Sequence, residues 1–169
     1  MRKWVYILTL FILIGTFSGC MDTRTVEPTP ENEEVEVTLY YASRAYVETG
    51  DEKIDKLIPI KKKIKPENNN LHLAMLNELK RAPDEESMAT EIFSNITFLS
   101  VEVKNNIAYV DVSSKNLNGG SLQEFFVINQ IVYTLTELED IDKVQFLVDG
   151  KKAESLMGHF SIDEPLSRE

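Results

Sequence analysis

Residues 98–138 read FLSVEVKNNIAYVDVSSKNLNGGSLQEFFVINQIVYTLTEL, and their two periodicities decide the fold. Leu99, Val101 and Val103 alternate with Ser100 and Glu102, the period of a half-buried strand. Ala108, Val110 and Val112 alternate in the same way with Tyr109 and Asp111. Between them stands Asn105-Asn106, residues that tolerate the positive φ of a tight hairpin turn. The spacing therefore predicts a β-hairpin over 98–113. After Gly119-Gly120 the period changes to that of a helix running to about Leu138. Ser121-Leu122-Gln123-Glu124 has the S-x-x-E spacing of a capping box. Leu122, Phe125, Ile128, Val132 and Leu135 share one helical face, widened by Phe126, Val127 and Ile131. A stripe that wide predicts deep burial against a sheet.

Working outward, Val144, Phe146 and Val148 mark a strand that ends in the turn dipeptide Asp149-Gly150. A short return strand is expected at 152–154, before a tail that ends polar. Upstream, Asn68-Asn69-Asn70 offers N-cap residues to a helix over 71–81. Its buried face is Leu71, Met75, Leu76 and Leu79, and Pro83 follows its end. Residues 57–64 read as a second strand that Pro59 makes an edge or an irregular one. Residues 35–41, VEVTLYY, alternate as another strand, while 42–56 and 84–91 read as polar loops. The order β-β-α-β-β-α-β, with the short return strand, predicts an α+β domain. Two helices would pack on one face of a mostly antiparallel sheet.

The N-terminus has a different character. Arg2 and Lys3 precede an apolar run from Trp4 to Phe17. That run is shorter than the roughly 20 residues of a membrane span and suits the core of a secretory signal. Phe17-Ser18-Gly19-Cys20 resembles the lipobox of bacterial lipoproteins, in which the cysteine is lipid-modified and the preceding peptide removed. Residues 1–19 are thus expected to be a signal peptide and Cys20 the lipid attachment point. Residues 21–34 hold Pro28, Pro30 and four glutamates but no apolar cluster, so 20–34 form a tether. The domain occupies 35–169. The expected location is the outer face of the cell membrane. Losing Arg2 and Lys3 leaves 16 of the 18 basic residues against 28 acidic ones, a net charge of −12. Such a body is expected to hold off from an anionic bilayer.

Composition excludes several functions. One cysteine permits neither a disulfide framework nor a multi-cysteine metal site. His72 and His159 lie far apart in the chain. A formal charge of −10 argues against nucleic acid as a partner, since phosphate neutralisation needs a basic face.

Several stretches together resemble the GerMN domain of sporulation and spore germination proteins. They are Asp111-Val112-Ser113, Leu117-Asn118-Gly119-Gly120-Ser121, Ile131 to Glu137, and Val144 to Lys152. Gly158-His159, Glu164-Pro165-Leu166 and the earlier helix at 71–83 extend the match, which covers roughly residues 34–166. The resemblance implies an extracytoplasmic, non-enzymatic module of the cell envelope that assembles with partners. It carries over no catalytic residues.

The remaining candidates are binding residues. Lys61, Lys62 and Lys63, continued by Lys65, form the only basic run and suit an acidic partner, though such a run also protects a strand edge. His159 and Asp149, with Asp163 or Glu164 nearby, match hydrolase or metal chemistry in residue type alone. No G-x-S-x-G elbow and no D-x-D-x-D-G loop is present. A loop hydrogen bond from His159 and a turn at Asp149 explain both more simply. Gly119-Gly120 lacks the lysine of a phosphate loop and reads as a turn into a helix. Phe125, Phe126, Tyr133 and Phe146 read as core rather than as a stacking surface. The sequence therefore points to a non-enzymatic adaptor with no metal or cofactor, held in the membrane through Cys20. Its partner would be an envelope protein, and Lys61, Lys62, Lys63, Asp149 and His159 are its candidate binding residues. A module for peptidoglycan or a small ligand is the second reading, and a wall hydrolase the third.

Overall fold

The computed structural model describes residues 33–66 and 68–168. Its elements are β1 (Val35–Ser43), α1 (Arg44–Thr49), β2 (Leu57–Ile64), α2 (Leu71–Leu79), β3 (Met88–Ala89), β4 (Phe98–Lys104), β5 (Ile107–Val112), α3 (Ser121–Leu135) and β6 (Lys143–Val148). The fold is α+β, with two three-stranded sheets ordered β2-β1-β3 and β4-β5-β6. Helix α2 packs on β1, β2 and β4, and α3 packs on β1 and β6, so the two helices join the sheets.

The expected hairpin is β4–β5, and both Asn105 and Asn106 adopt positive φ (51° and 61°) at its turn. Asn70 caps α2 by accepting a hydrogen bond from the Leu73 N–H at 2.9 Å. Five details differ from the sequence reading, one being the short strand β3 inside the segment 84–91 that reads as a polar loop. The single sheet is two. The 42–56 segment contains a third, short helix, α1, capped by the Ser43 side chain and stopped by Gly50 in the left-handed region. The β5–β6 pairing is parallel, because α3 is the crossover between them. The return strand shrinks to a one-residue bridge, Val148 to Lys151.

Pro59 shows how the edge is built. Strand β1 pairs antiparallel with β2, Tyr40 lying opposite Pro59. The Tyr40 N–H donates to Thr134 Oγ1 (3.0 Å), and its carbonyl accepts from Gln130 Nε2 (3.3 Å). In an antiparallel ladder both backbone groups of a residue point to one side. Tyr40 therefore turns its groups to α3 and away from β2, and the missing N–H of Pro59 breaks no ladder bond. Helix side chains here replace a strand, since β3 reaches only Ala42 and Ser43 on that side.

One apolar core runs through both sheets. Leu39, Met75, Leu76, Leu79, Ile131, Leu135, Val144 and Phe146 are fully buried in it. Each large aliphatic side chain so buried contributes roughly 1.5–3 kcal/mol relative to exposure. Among the described residues, no helix is long and apolar enough to cross a membrane.

Candidate functional site

The site is built on α3 and begins with a buried charge. Gly120, not Ser121, is the N-cap of α3, and no side chain caps this end. Starting the helix one residue early shifts Glu124 out of the capping-box position and into the interior. The capping-box reading is thereby corrected. Glu124 is fully buried, and its carboxylate accepts three backbone N–H groups. Leu156 (2.9 Å) and Met157 (2.8 Å) donate to Oε1, and His159 (2.8 Å) donates to Oε2. Three backbone donors are what a buried carboxylate needs to offset its lost hydration. The clamp seats the 156–160 loop against the start of α3. There His159 Nε2 lies 3.2 Å from the Gly119 carbonyl. A carbonyl only accepts, so Nε2 carries the proton in this contact.

The clamped loop delivers Phe160 to the outer face of α3. Leu122, Phe125, Asn129 and Tyr133 recur at spacings of three, four and four residues and so share that face. Leu122 is 46% and Phe160 39% exposed. Phe125 is the hub. Its ring centroid lies 5.3 Å from that of Phe126 and 5.9 Å from that of Phe160. Lys56, from the loop before β2, holds its ammonium 5.3 Å from the ring centroids of both Phe125 and Tyr46. Its hydrogen-bonded partner Glu52, 3.1 Å away, raises the lysine pKa, so the group stays a cation. Three openings meet at Phe125. One of about 360 Å³ lies among Tyr40, Asp55, Lys56, Asn129 and Tyr133. The others, about 250 and 310 Å³, flank Phe160 on its Leu122 and Leu166 sides. The result is an open aromatic surface with a cation, a carboxylate and an amide at its centre.

The C-terminal tail closes one end of this face. Leu166 exchanges two backbone hydrogen bonds with Val144 at the edge of β6. Arg168 then lies over the rings of Tyr40 (5.1 Å) and Tyr133 (5.3 Å), a doubled cation–π contact. It donates to the Tyr133 carbonyl at 2.6 Å and pairs with Glu137 at 2.5 Å. The hydrogen bond from Arg168 holds the Glu137 carboxyl below its ordinary value. The folded state thus binds the Glu137 proton less readily than the unfolded chain does. The ion pair's stabilisation is complete above the unfolded glutamate value, about 4.3, and is lost as pH falls through the lowered one. Amide-exchange protection of Leu166, whose N–H donates to the Val144 carbonyl, is expected to drop over that window while the core strands hold. Arg168→Ala is expected to give the same local loss at neutral pH. Protection that ignores both would remove the ion pair from the account of the tail.

A sequence model of a family of sporulation and spore germination domains, Germane, matches residues 38–154, more than half of the chain. The chain belongs to the Germane family. Solved structures share its fold. A protein of Clostridium perfringens assigned as a lipoprotein is 21% identical, aligning 80% of this chain with 89% of its own (TM-score 0.52). The tandem GerMN domains of the sporulation protein GerM from Bacillus subtilis are 24% identical, with 88% of this chain aligned to 50% of theirs (TM-score 0.63). The first GerMN domain of GerM alone is 19% identical, with 79% aligned to 98% (TM-score 0.63). No curated protein matches the chain in sequence. The family is defined by sporulation and germination, not by a catalytic activity.

Within this Germane domain the residues singled out from sequence do not converge. Cys20 lies outside the described residues. Asp149 is a turn residue at φ 48°, its Oδ1 accepting from the Ser114 N–H at 3.1 Å. The Ser114 hydroxyl first, and its N–H second, hold the carboxyl below its ordinary value. His159 belongs to the clamped loop, and the cleft it lines includes Asp163, whose carboxylate accepts from the Ser161 hydroxyl, but neither Asp149 nor Glu164. Lys61 pairs with Glu36 (3.5 Å) and Lys62 with Glu78 (2.6 Å), while Lys63 is exposed, all at the far end of β2 from the aromatic face. Among the described residues, no group of three His, Cys, Asp or Glu is placed to hold a metal ion. Of the four aromatics read as core, Phe126 and Phe146 are fully buried, but Phe125 and Tyr133 line the open surface. Sequence reasoning missed Lys56, Asn129 and Phe160. The available signal was the width of the α3 stripe, too broad for one sheet to cover.

Proposed function

We propose that this protein is a lipid-anchored, extracytoplasmic adaptor of the cell envelope. It acts in sporulation or spore germination and holds a protein partner on the exposed face of α3. Family membership supports the process. The lipobox-like residues ending at Cys20, and the lipoprotein assignment of the Clostridium perfringens relative, support the anchor. The observation that carries the binding reading is the aromatic surface around Phe125. Protein interfaces concentrate their energy in a few aromatic and basic side chains set in partly enclosed hollows. Phe125, Phe160, Tyr133 and Lys56 have that composition and are held by packing and by the Glu124 clamp. The partner suited to it presents an apolar anchor with an acidic group beside it for Lys56.

A wall glycan is the second reading. Asp55 and Asn129 stand beside the Tyr40 and Tyr133 rings, a pairing of polar groups with aromatic faces that suits a sugar. Capture separates the two. Full-length protein, solubilised from its own membranes, is crosslinked and purified beside the variant Asn129→Arg. The long cation fills the largest of the three openings at Phe125 without touching the core. A defined membrane protein captured by the wild type, and reduced about tenfold by the variant, a loss of about 1.4 kcal/mol, is the expected result. Retention of wall fragments alone would favour the glycan. Equal capture by both would remove α3 from the site.

A further inference from the structure

The basic run lies at the other end of the β1–β2 pair, and its position gives it a role. The register sets Val35 opposite Ile64 and Glu36 opposite Lys63, so the point where the N-terminal segment enters the fold adjoins Lys61–Lys65. One hollow of about 310 Å³ is lined there by Lys62, Lys63, Lys65 and Arg81, with Glu34 and Glu78. Glu78 is shared between Lys62 (2.6 Å) and Arg81 (2.9 Å), and Lys61 pairs with Glu36. With every one of these groups counted, five cations face three carboxylates. Lys63 and Lys65, exposed and outside these ion pairs, are the cations left to meet an anionic surface.

We infer that this basic pole docks on anionic phospholipid headgroups and orients the domain on the membrane. The inference rests on the proposed lipid anchor. Phospholipid is favoured over an acidic protein or wall polymer because the chain leading to Cys20 enters the domain at this same pole. The net charge of the whole body does not forbid it. At physiological ionic strength a charge is felt over about 8 Å, so the bilayer senses the pole it faces and not the distant acidic surface. Each basic group near an anionic leaflet contributes roughly 1 kcal/mol, or about fivefold in partitioning. The orientation has a functional consequence. The aromatic face adjoins the opposite end of the strand pair, at Tyr40 and Leu57. Five residues of β1 and seven of β2 separate these positions from the pole, about 17–23 Å at the usual rise. Docking at the pole therefore presents the α3 face away from the bilayer, toward a partner.

The test is a lysine footprint. Full-length protein isolated from membranes is reconstituted into phosphatidylcholine vesicles with or without phosphatidylglycerol. A water-soluble acylating reagent is added and sites are read by mass spectrometry. Lys63 and Lys65 are expected to react several-fold more slowly when phosphatidylglycerol is present. Lys115 and Lys151 should be unaffected, and salt near 1 M, where screening reaches only about 3 Å, should abolish the difference. Equal reactivity in the two lipids, or protection by isolated wall sacculi and not by vesicles, overturns the inference. Flotation with phosphatidylcholine vesicles tests the anchor separately. If the chain does not float, the anchor reading fails. The pole is then judged by adding phosphatidylglycerol vesicles to the free chain, where protection of Lys63 and Lys65 supports it and its absence overturns it.

Discussion

Glu124→Ala is expected to lower stability by about 3 kcal/mol and to free the loop that carries Phe160. The carboxylate is fully buried and accepts from Leu156, Met157 and His159. Hydrogen bonds to charged groups contribute about 1.5–3 kcal/mol each, but water would recover part of the loss once the loop opens. The net figure is therefore set nearer to one such bond than to three. For a domain of this size it corresponds to a fall of about 10 °C in melting temperature. Glu124→Gln separates charge from shape. It keeps one acceptor oxygen but aims an amide N–H at a backbone donor, and a loss of about 2 kcal/mol is expected. Calorimetry reads both. Partner capture by Glu124→Ala should fail even at temperatures where far-UV circular dichroism still reports a folded domain, because one wall of the aromatic face has gone. A melting temperature within about 2 °C of the wild type, well below the change expected from a buried charge, would refute the clamp.

Gln130→Leu is expected to cost about 2–4 kcal/mol, the second large effect. Gln130 is fully buried and serves two segments. Its Nε2 donates to the Tyr40 carbonyl, and its Oε1 accepts from the Glu91 N–H at 3.0 Å. Leucine has a similar volume and satisfies neither, leaving two backbone groups short of partners. Thr134→Val removes the acceptor for the Tyr40 N–H and is expected to cost about 1–2 kcal/mol. Both act on the same backbone residue, so the double variant should lose less than the two single losses together. Hydrogen exchange gives the specific signature. The Tyr40 amide should exchange faster in Thr134→Val, while the Leu39 amide on the β2 side keeps its protection. Unchanged exchange at Tyr40 would mean that α3 does not act as the missing strand.

These two sites also show where the sequence stops being readable. The β4–β5 hairpin, the Asn70 cap and the Pro59 edge were legible because each is a local rule: a period of two, a side chain reaching three residues on, a missing N–H. Helix α1 was not, though Ser43 and Gly50 carry the right start and stop signals, because six residues are too few to display a period. Glu124 fits the local capping-box spacing, and only a loop more than thirty residues downstream reveals that it serves another purpose. The strand-mimicking pair Gln130 and Thr134 joins α3 to a backbone some ninety residues earlier, which no local pattern records. The aromatic site fell between these cases. Its helix was legible, but the outward aim of Leu122 and Phe125 depended on which flank of a wide stripe the sheet would cover. The loops supplying Lys56 and Phe160 have no periodicity to place them.

The central claim is that the outer face of α3 is the surface this Germane domain uses. Photo-crosslinking in intact cells tests it most directly, with the reactive amino acid placed singly at Leu122, at Asn129, and at Lys115 and Lys151 as references. The account predicts one discrete crosslinked species from positions 122 and 129, absent from 115 and 151 and lost when Glu124→Ala is added. Discrete crosslinks from 115 or 151 with none from 122 or 129 would contradict it and place the partner elsewhere on the domain.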